Sequence, residues 1–192
     1  MSGGSMAGHT RRRTGFGLDK EGRGATLAVA GIMAGVVLIP TLLNATADGY
    51  APVRAGERFT AGAFRFEPEP SWRMDVMRSM NGQSVLVGGS ATYTVRPLGR
   101  AGSPHAAYLL AARRLEEGGL ARVSGVPRPF RTRAGQAGLT GEITGAVEGR
   151  LSVVHHRGRA VAAVLIAPPR PLPDPGLLRQ AERMTASLEV PP

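Results

Sequence analysis

Cysteine is absent from the 192-residue sequence, and this absence excludes several kinds of chemistry. The chain can form no disulfide, no thiolate metal site, no cysteine nucleophile and no lipid-modified cysteine anchor. Aromatic residues are scarce, at 5% of the chain, so platforms for stacking nucleic-acid bases are not expected. Lysine occurs once, at Lys20, and arginine therefore carries almost all of the positive charge.

Catalytic motifs are missing as well. The sequence contains no Gly-x-Ser-x-Gly elbow, no His-Glu-x-x-His helix and no Gly-x-x-x-x-Gly-Lys phosphate loop. His155 and His156 are the most conspicuous pair, but neighbours on a strand point to opposite faces, so the two imidazoles do not converge on one ion. We therefore expect no catalytic residues, no metal site and no cofactor, and we do not expect an enzyme.

The formal net charge of +10 is distributed unevenly along the chain. Residues 1–23 carry five basic and two acidic side chains, whereas residues 48–192 carry nineteen and twelve. Residues 24–47 carry no charge, and the excess is +3 before them and +7 after them. A basic domain of this kind attracts anionic lipid headgroups or cell-wall polyanions, although the same charge can simply keep a solvated surface soluble.

Residues 24–47 form a long apolar run, which we interpret as a transmembrane helix. Its most apolar part, residues 24–43, would span about 30 Å as a helix, which matches the hydrocarbon thickness of a bilayer. Basic residues precede the run and Asp48 follows it, so the positive-inside rule places the basic tail, residues 1–23, in the cytoplasm. Gly31 and Gly35 form a small-xxx-small pair that would allow two such helices to pack closely.

A competing interpretation of the same run is cleavage and release. Ala45-Thr46-Ala47 resembles a signal-peptidase site, and the helix-disturbing Pro40 lies shortly before it. The apolar run is longer than that of a typical secretory signal, however, and so is the charged segment before it. We therefore favour a retained signal anchor over a secreted chain that begins at Asp48.

Beyond a linker at residues 48–57, residues 58–190 show the pattern of one α+β domain that lies outside the cytoplasm. Alternating apolar and polar side chains at residues 72–76 predict a strand with one buried face. Turn residues at Asn81-Gly82 and Gly88-Gly89-Ser90 then predict a three-stranded antiparallel meander.

Two helices and a further set of strands complete this prediction. Ser103-Pro104 can cap and begin the first helix, and Gly118-Gly119 can end it. A hairpin turn is predicted at Arg157-Gly158, and the strand at residues 161–166 is apolar on both faces, as a covered central strand requires. A second helix begins at Asp174-Pro175. The predicted fold is a mostly antiparallel β-sheet sandwiched by helices.

This order of elements resembles the Mog1/PsbP-like family of α/β/α sandwiches. The resemblance rests on Phe64-Arg65-Phe66-Glu67-Pro68 and Ser71-Trp72 before the first hairpin, on residues 138–149, and on a last helix that closes at Ser187-Leu188. It covers residues 58–190 and brings no catalytic residues. It implies a non-enzymatic accessory, regulatory or chaperone-like role, and such a domain behind an apolar segment resembles a recurrent type of actinobacterial envelope protein.

Arginines supply the candidate contact residues. The planar guanidinium fork donates two parallel hydrogen bonds to a phosphate or carboxylate group, so clustered arginines are candidates for polyanion contact. The candidates are Arg128, Arg131, Arg133, Arg157 and Arg159, with Arg150 expected nearby across the sheet. Nucleic acid is not an expected partner, because aromatic residues are few and the domain is expected outside the cytoplasm.

These patterns together predict a membrane-anchored, extracytoplasmic, non-enzymatic binding or accessory protein of the cell envelope. Its membrane contact would be residues 24–47, and its main partner would be another envelope protein. The alternative is a cleaved, secreted basic module that binds cell-wall polyanions or anionic lipid headgroups.

Overall fold

The computed structural model describes residues 49–119, 121–169 and 175–191. The predicted cytoplasmic tail and transmembrane helix, including the Gly31 and Gly35 pair, lie outside these described residues. Within them, no helix is both long enough and apolar enough to cross a membrane.

Ten strands and two helices make up the described chain. In chain order they are β1 (Tyr50–Pro52), β2 (Phe59–Ala61), β3 (Phe64–Phe66), β4 (Arg73–Asp75), β5 (Ser84–Gly88), β6 (Ala91–Arg100), α1 (Pro104–Glu116), β7 (Ala121–Arg131), β8 (Ala137–Gly145), β9 (Glu148–His156), β10 (Arg159–Ala167) and α2 (Pro175–Ala186). Eight strands form one antiparallel sheet in the order β1-β4-β5-β6-β10-β9-β8-β7, and β2 and β3 form a separate two-stranded sheet.

Two of the three predicted hairpin turns are confirmed, and their backbone angles are ones that only certain residues adopt readily. Arg157 and Gly158 have φ of 47° and 75° and join β9 directly to β10. Gly89 has φ of 56° in the equally short connection between β5 and β6. Asn81 and Gly82 also have positive φ, but they lie within an eight-residue connection and not in a tight hairpin.

The strand predicted at residues 72–76 is shorter than expected. Trp72 is buried as predicted, but the strand ends at Asp75, and Val76 is exposed. The reason is a local turn, because the Asp75 carboxylate accepts a hydrogen bond from the Arg78 backbone at 3.0 Å and its carbonyl accepts one from Ser79 at 2.9 Å.

Residues 48–57, which were predicted to form a linker, contain a strand of the sheet. Within them, β1 pairs with β4, placing Tyr50 opposite Asp75 and Pro52 opposite Arg73. The sheet therefore begins before residue 58, and its first strand follows Gly49 directly.

Helix α1 covers one face of the sheet. The Ser103 hydroxyl accepts a hydrogen bond from the Ala106 backbone at 3.1 Å, and Pro104 occupies the first turn, as predicted. Tyr108 lies on the buried side of the helix, in a cluster with Leu151 and Val153 of β9. This cluster is one of two cores that the sheet separates.

Helix α2 and the β2–β3 hairpin cover the opposite face. Trp72, Tyr93 and Phe66 pack edge to face there, with ring centroids 6.2 and 6.3 Å apart, and Met184 of α2 is fully buried beside them. The Trp72 indole donates a hydrogen bond to Gln180 Oε1 at 2.8 Å, which fixes α2 to the sheet. Strand β10 lies between β6 and β9 with both faces covered, which confirms its predicted central position.

A candidate binding cleft beneath the second helix

A cleft of about 240 Å³ opens between α2 and strands β8, β9 and β10. It exists because α2 leaves part of the sheet face uncovered on the β8 side. The apolar walls come from Phe130, Ala163, Leu165, Leu178, Ala181 and Ala186, and the polar groups from Tyr93, Thr140, Arg150, Ser152, Glu182 and Thr185. Although the two sets are equal in number, most of the exposed atoms of the cleft are apolar and the polar groups lie among them, which is typical of binding sites.

The floor of the cleft contains a buried hydroxyl chain. The Thr185 hydroxyl donates to the Ala181 carbonyl at 2.9 Å, so Tyr93 donates its own proton to Thr185 Oγ1, also at 2.9 Å. Burial is the main influence on the Tyr93 phenol and raises its pKa. The phenol consequently stays neutral and acts as a fixed hydrogen-bond donor.

A second hydroxyl pair lies where β8 meets β9. Thr140 and Ser152 are directly opposite each other, and their hydroxyl oxygens are 3.0 Å apart. Thr140 also donates to the Leu151 carbonyl at 3.2 Å, so Ser152 donates to Thr140. Both hydroxyl protons are therefore used within the sheet.

An ion pair marks the mouth of the cleft. Arg150 of β9 contacts Glu182 of α2, so the pair ties the helix to the uncovered part of the sheet. Arg150 also borders a neighbouring concavity of about 190 Å³, which Arg128, Thr140 and Glu142 line as well. The mouth of the cleft therefore carries one charge of each sign, and the neighbouring concavity adds Arg128 and Glu142.

The structure divides the five predicted arginines among several places. Arg128 lies with Arg150 beside the cleft, as expected across the sheet. Arg131 donates to the Gly135 carbonyl at 2.9 Å within the β7–β8 turn. Arg133 lies in another concavity with Glu67. These residues do not form one continuous patch.

The remaining two predicted arginines lie at the β9–β10 hairpin and have an additional neighbour. Arg159 is opposite Arg100 in the sheet, and the Ala101 backbone donates to the Gly158 carbonyl at 2.9 Å. Arg100, Arg157 and Arg159 are exposed, and no carboxylate of the described residues pairs with them. They form an unneutralised basic group at one end of the central strands.

The two histidines of the predicted pair have different neighbours. The Nε2 atom of His155 lies 2.9 Å from the Ala101 carbonyl, next to the start of α1, whereas His156 is opposite Arg159. Among residues 49–119, 121–169 and 175–191, no group of three or more metal-ligating side chains comes together.

Sequence reasoning missed most of the cleft. Ser152 offered a signal, since it is a polar residue inside the apolar strand segment from Leu151 to Val154. Thr185 offered another, because it follows the buried Met184 on α2. Neither signal reveals that the two side chains face the same concavity, because that depends on how the helix lies on the sheet.

No protein-family model matches this chain, and no curated protein sequence matches it. Solved structures do match. One is the solution structure of cyanobacterial PsbP (CyanoP) from Synechocystis sp. PCC 6803, with 14% identity, a TM-score of 0.50, and coverage of 76% of this chain and 96% of that one. Another is a point mutant of the protein Mog1, with 12% identity, a TM-score of 0.52, and coverage of 70% and 96%.

These two likenesses establish the class of fold. The chain has a Mog1/PsbP-like fold, a mostly antiparallel β-sheet with two helices, as the sequence resemblance implied. At such low identity the likeness concerns the fold alone, because one fold serves many functions.

Proposed function

We propose that this chain is a non-enzymatic binding or accessory protein of the cell envelope. Residues 24–47 hold it in the membrane, the tail at residues 1–23 lies in the cytoplasm, and the domain at residues 58–190 lies outside. The cleft beneath α2 is its contact site for another envelope protein. The single observation that carries the binding role is this preformed, mainly apolar cleft with charged groups at its mouth.

The size of the cleft supports a protein partner. Its volume of about 240 Å³ is below the roughly 300–1,000 Å³ of pockets that enclose drug-sized ligands. A space of this size accepts one or two apolar side chains of a partner, and such buried anchors supply much of the affinity of protein interfaces. Arg150 and Glu182 at the mouth would then orient the partner by charge.

The polar groups of the cleft support binding over catalysis. Tyr93 donates to Thr185, Thr140 is paired with Ser152, and the Glu182 carboxylate is paired with Arg150. A general base within reach of a nucleophile is what acyl or phosphoryl chemistry needs. Hydroxyl groups that are already engaged in structural hydrogen bonds suit recognition better.

Crosslinking at the mouth of the cleft tests this proposal. A photo-crosslinking amino acid at Leu178 should form an adduct with one envelope protein in native membranes, and a charge introduced by Glu182→Arg should abolish that adduct. The matched control position is Leu109, which is exposed on α1 at the opposite face of the sheet. Equal yields of adduct from both positions would count against the cleft as the contact site, and so would an adduct whose yield Glu182→Arg leaves unchanged.

The basic group at the β9–β10 hairpin favours a second candidate function, a cleaved and secreted module that binds cell-wall polyanions. Replacing Arg100, Arg157 and Arg159 by alanine should remove salt-sensitive binding to isolated cell walls. The control replaces the exposed Arg113, Arg114 and Arg122 and removes the same charge elsewhere. Equal losses in both variants would indicate only a general charge effect. The intact mass of the mature protein tells whether its chain begins near Asp48.

A further inference from the structure

Exposed hydrophobic side chains are concentrated at one place on the domain. Six large hydrophobic residues of the described chain are exposed; three of them lie in the connection between β4 and β5, and a fourth lies beside it on β1. These four are Tyr50 (42% exposed), Val76 (44%), Met77 (67%) and Met80 (52%). Single exposed hydrophobic residues are common on soluble domains, whereas a cluster indicates an interaction surface.

The connection between β4 and β5, residues 76–83, is held in shape by its own polar groups, and we call it the methionine loop. The Ser79 hydroxyl accepts a hydrogen bond from the Val85 backbone at 2.9 Å. Gln83 Nε2 donates to the Arg78 carbonyl at 2.8 Å, and the buried Asp75 carboxylate accepts from the Arg78 backbone. An ordered backbone therefore presents the two methionines outward.

The methionine loop lies beside the point where the domain begins. The Val76 backbone donates to the Gly49 carbonyl at 2.9 Å, and a Cβ added to Gly49 would lie 3.7 Å from Met77 Cγ. Only Asp48 separates Gly49 from the apolar run at residues 24–47. Since a residue spans at most about 3.6 Å, a run that crosses the hydrocarbon with residues 24–43 would keep Gly49 within roughly 22 Å of it.

We propose that the methionine loop and Tyr50 dock onto the lipid bilayer in which residues 24–47 are anchored. This inference rests on the proposed membrane anchor and adds a second, reversible membrane contact to it. Strand β1 follows Gly49 directly, so the methionine loop and Tyr50 lie at the start of the domain, the end nearest in sequence to residues 24–47.

The chemistry of the surface suits the headgroup region of a bilayer. Methionine is flexible and apolar, and tyrosine is enriched at membrane interfaces because its ring is apolar and its hydroxyl is polar. The Arg73 guanidinium lies 5.3 Å from the centroid of the Tyr50 ring, and the Arg78 side chain is 60% exposed beside the methionines. The positive charges of these two arginines are attracted to anionic headgroups.

Single cysteines test the proposal cleanly, because the natural chain contains none. The full chain is reconstituted in vesicles that contain anionic lipid, with Met77→Cys or Met80→Cys carrying an environment-sensitive fluorophore. We expect blue-shifted emission and a loss of fluorescence when a lipid-attached quencher is included, since docked side chains enter the outer 5–10 Å or so of the bilayer. The control, Val126→Cys, is on a distant exposed bulge and should respond only to a water-soluble quencher.

A fourth position separates failure of this inference from failure of the proposed anchor. Val36→Cys lies within the apolar run and should be quenched from the lipid if the run crosses the bilayer. In one outcome, residue 36 is quenched from the lipid while residues 77 and 80 are as water-exposed as residue 126. This result would overturn the docking alone. A water-exposed residue 36 would overturn both the anchor and the docking.

Discussion

Two buried tyrosines place their hydroxyl groups in contrasting environments on the two faces of the sheet. Tyr93 faces α2 and bonds to Thr185. Tyr108 projects from α1 against Gly141, where an added Cβ would collide with the phenol oxygen, and this oxygen has no hydrogen-bond partner among the described residues. One hydroxyl therefore contributes to stability, and the other costs free energy because it is buried without a partner.

This contrast predicts opposite effects of the same substitution. Tyr93→Phe should lower the free energy of unfolding by about 1 kcal/mol, the typical net value of a buried hydrogen bond. Tyr108→Phe should leave it unchanged or raise it by about 1 kcal/mol, because it removes an unsatisfied polar atom. Urea unfolding of both variants measures the difference. A loss in Tyr108→Phe as large as that in Tyr93→Phe would show that the Tyr108 hydroxyl has a partner.

Alkaline pH tests the burial of Tyr93 in another way. Its folded pKa lies above the ordinary 10.0, so its contribution to stability is complete below pH 10.0 and is lost as the pH rises through the raised folded pKa. Lysine and cysteine contribute little there, because the chain has one lysine and no cysteine, and arginine stays charged. Burial also raises the pKa of Tyr108, so both buried tyrosines contribute to the decline. Unfolding between pH 9 and 12 or so should show this decline, and Tyr93→Phe should make it shallower. An equal slope in both proteins would contradict the assignment.

At the scale of elements, α2 determines whether the cleft exists. Gln180 accepts a hydrogen bond from the buried Trp72 indole, and Arg183 contacts Glu69 at 2.6 Å on the exposed side. Gly88 lets the Trp72 ring lie flat on β5, since a Cβ there would be 2.6 Å from the ring. The helix is thus tied to the sheet near β4 and β5, and the side toward β8 stays open.

Two of the polar ties of α2, those made by Gln180 and Arg183, should differ in strength. Gln180→Leu leaves the Trp72 indole without its partner and should lower the free energy of unfolding by about 1–3 kcal/mol. Arg183→Leu breaks only a solvent-exposed ion pair and should have little effect. Hydrogen exchange of the α2 amides, measured with urea unfolding, checks both. Equal loosening of α2 in the two variants would contradict the role given to Gln180.

Elements with local signals could be predicted from the sequence. The Ser103 cap and the Arg157-Gly158 turn depend only on neighbouring residues, and both lie where the pattern placed them. Strand β1 could not be predicted, because three residues are too short for a visible alternation. The cleft could not be predicted either, since contacts such as Tyr93 with Thr185 join residues 92 positions apart.

At the scale of the whole molecule, charge and exposed apolar surface are arranged around the sheet in distinct places. The cleft is on the α2 face, the exposed Arg100, Arg157 and Arg159 are at the β9–β10 hairpin, and the methionine loop is beside Gly49, where the domain begins. Under the proposed function, this separation would let one chain contact a membrane and a partner protein at the same time. The proposed anchor at residues 24–47 would fix which of these surfaces faces the bilayer.

Cysteine labelling in cells tests the central claim, an anchored chain with its domain outside the cytoplasm, most directly. Ser5→Cys and Val126→Cys variants, made in the cysteine-free chain, are treated with a membrane-impermeant maleimide before and after lysis. The account predicts that residue 126 is labelled in intact spheroplasts and that residue 5 is labelled only after lysis. It also predicts that both labelled chains are membrane-bound and have the mass of the full chain. Labelling of residue 126 only after lysis would contradict it.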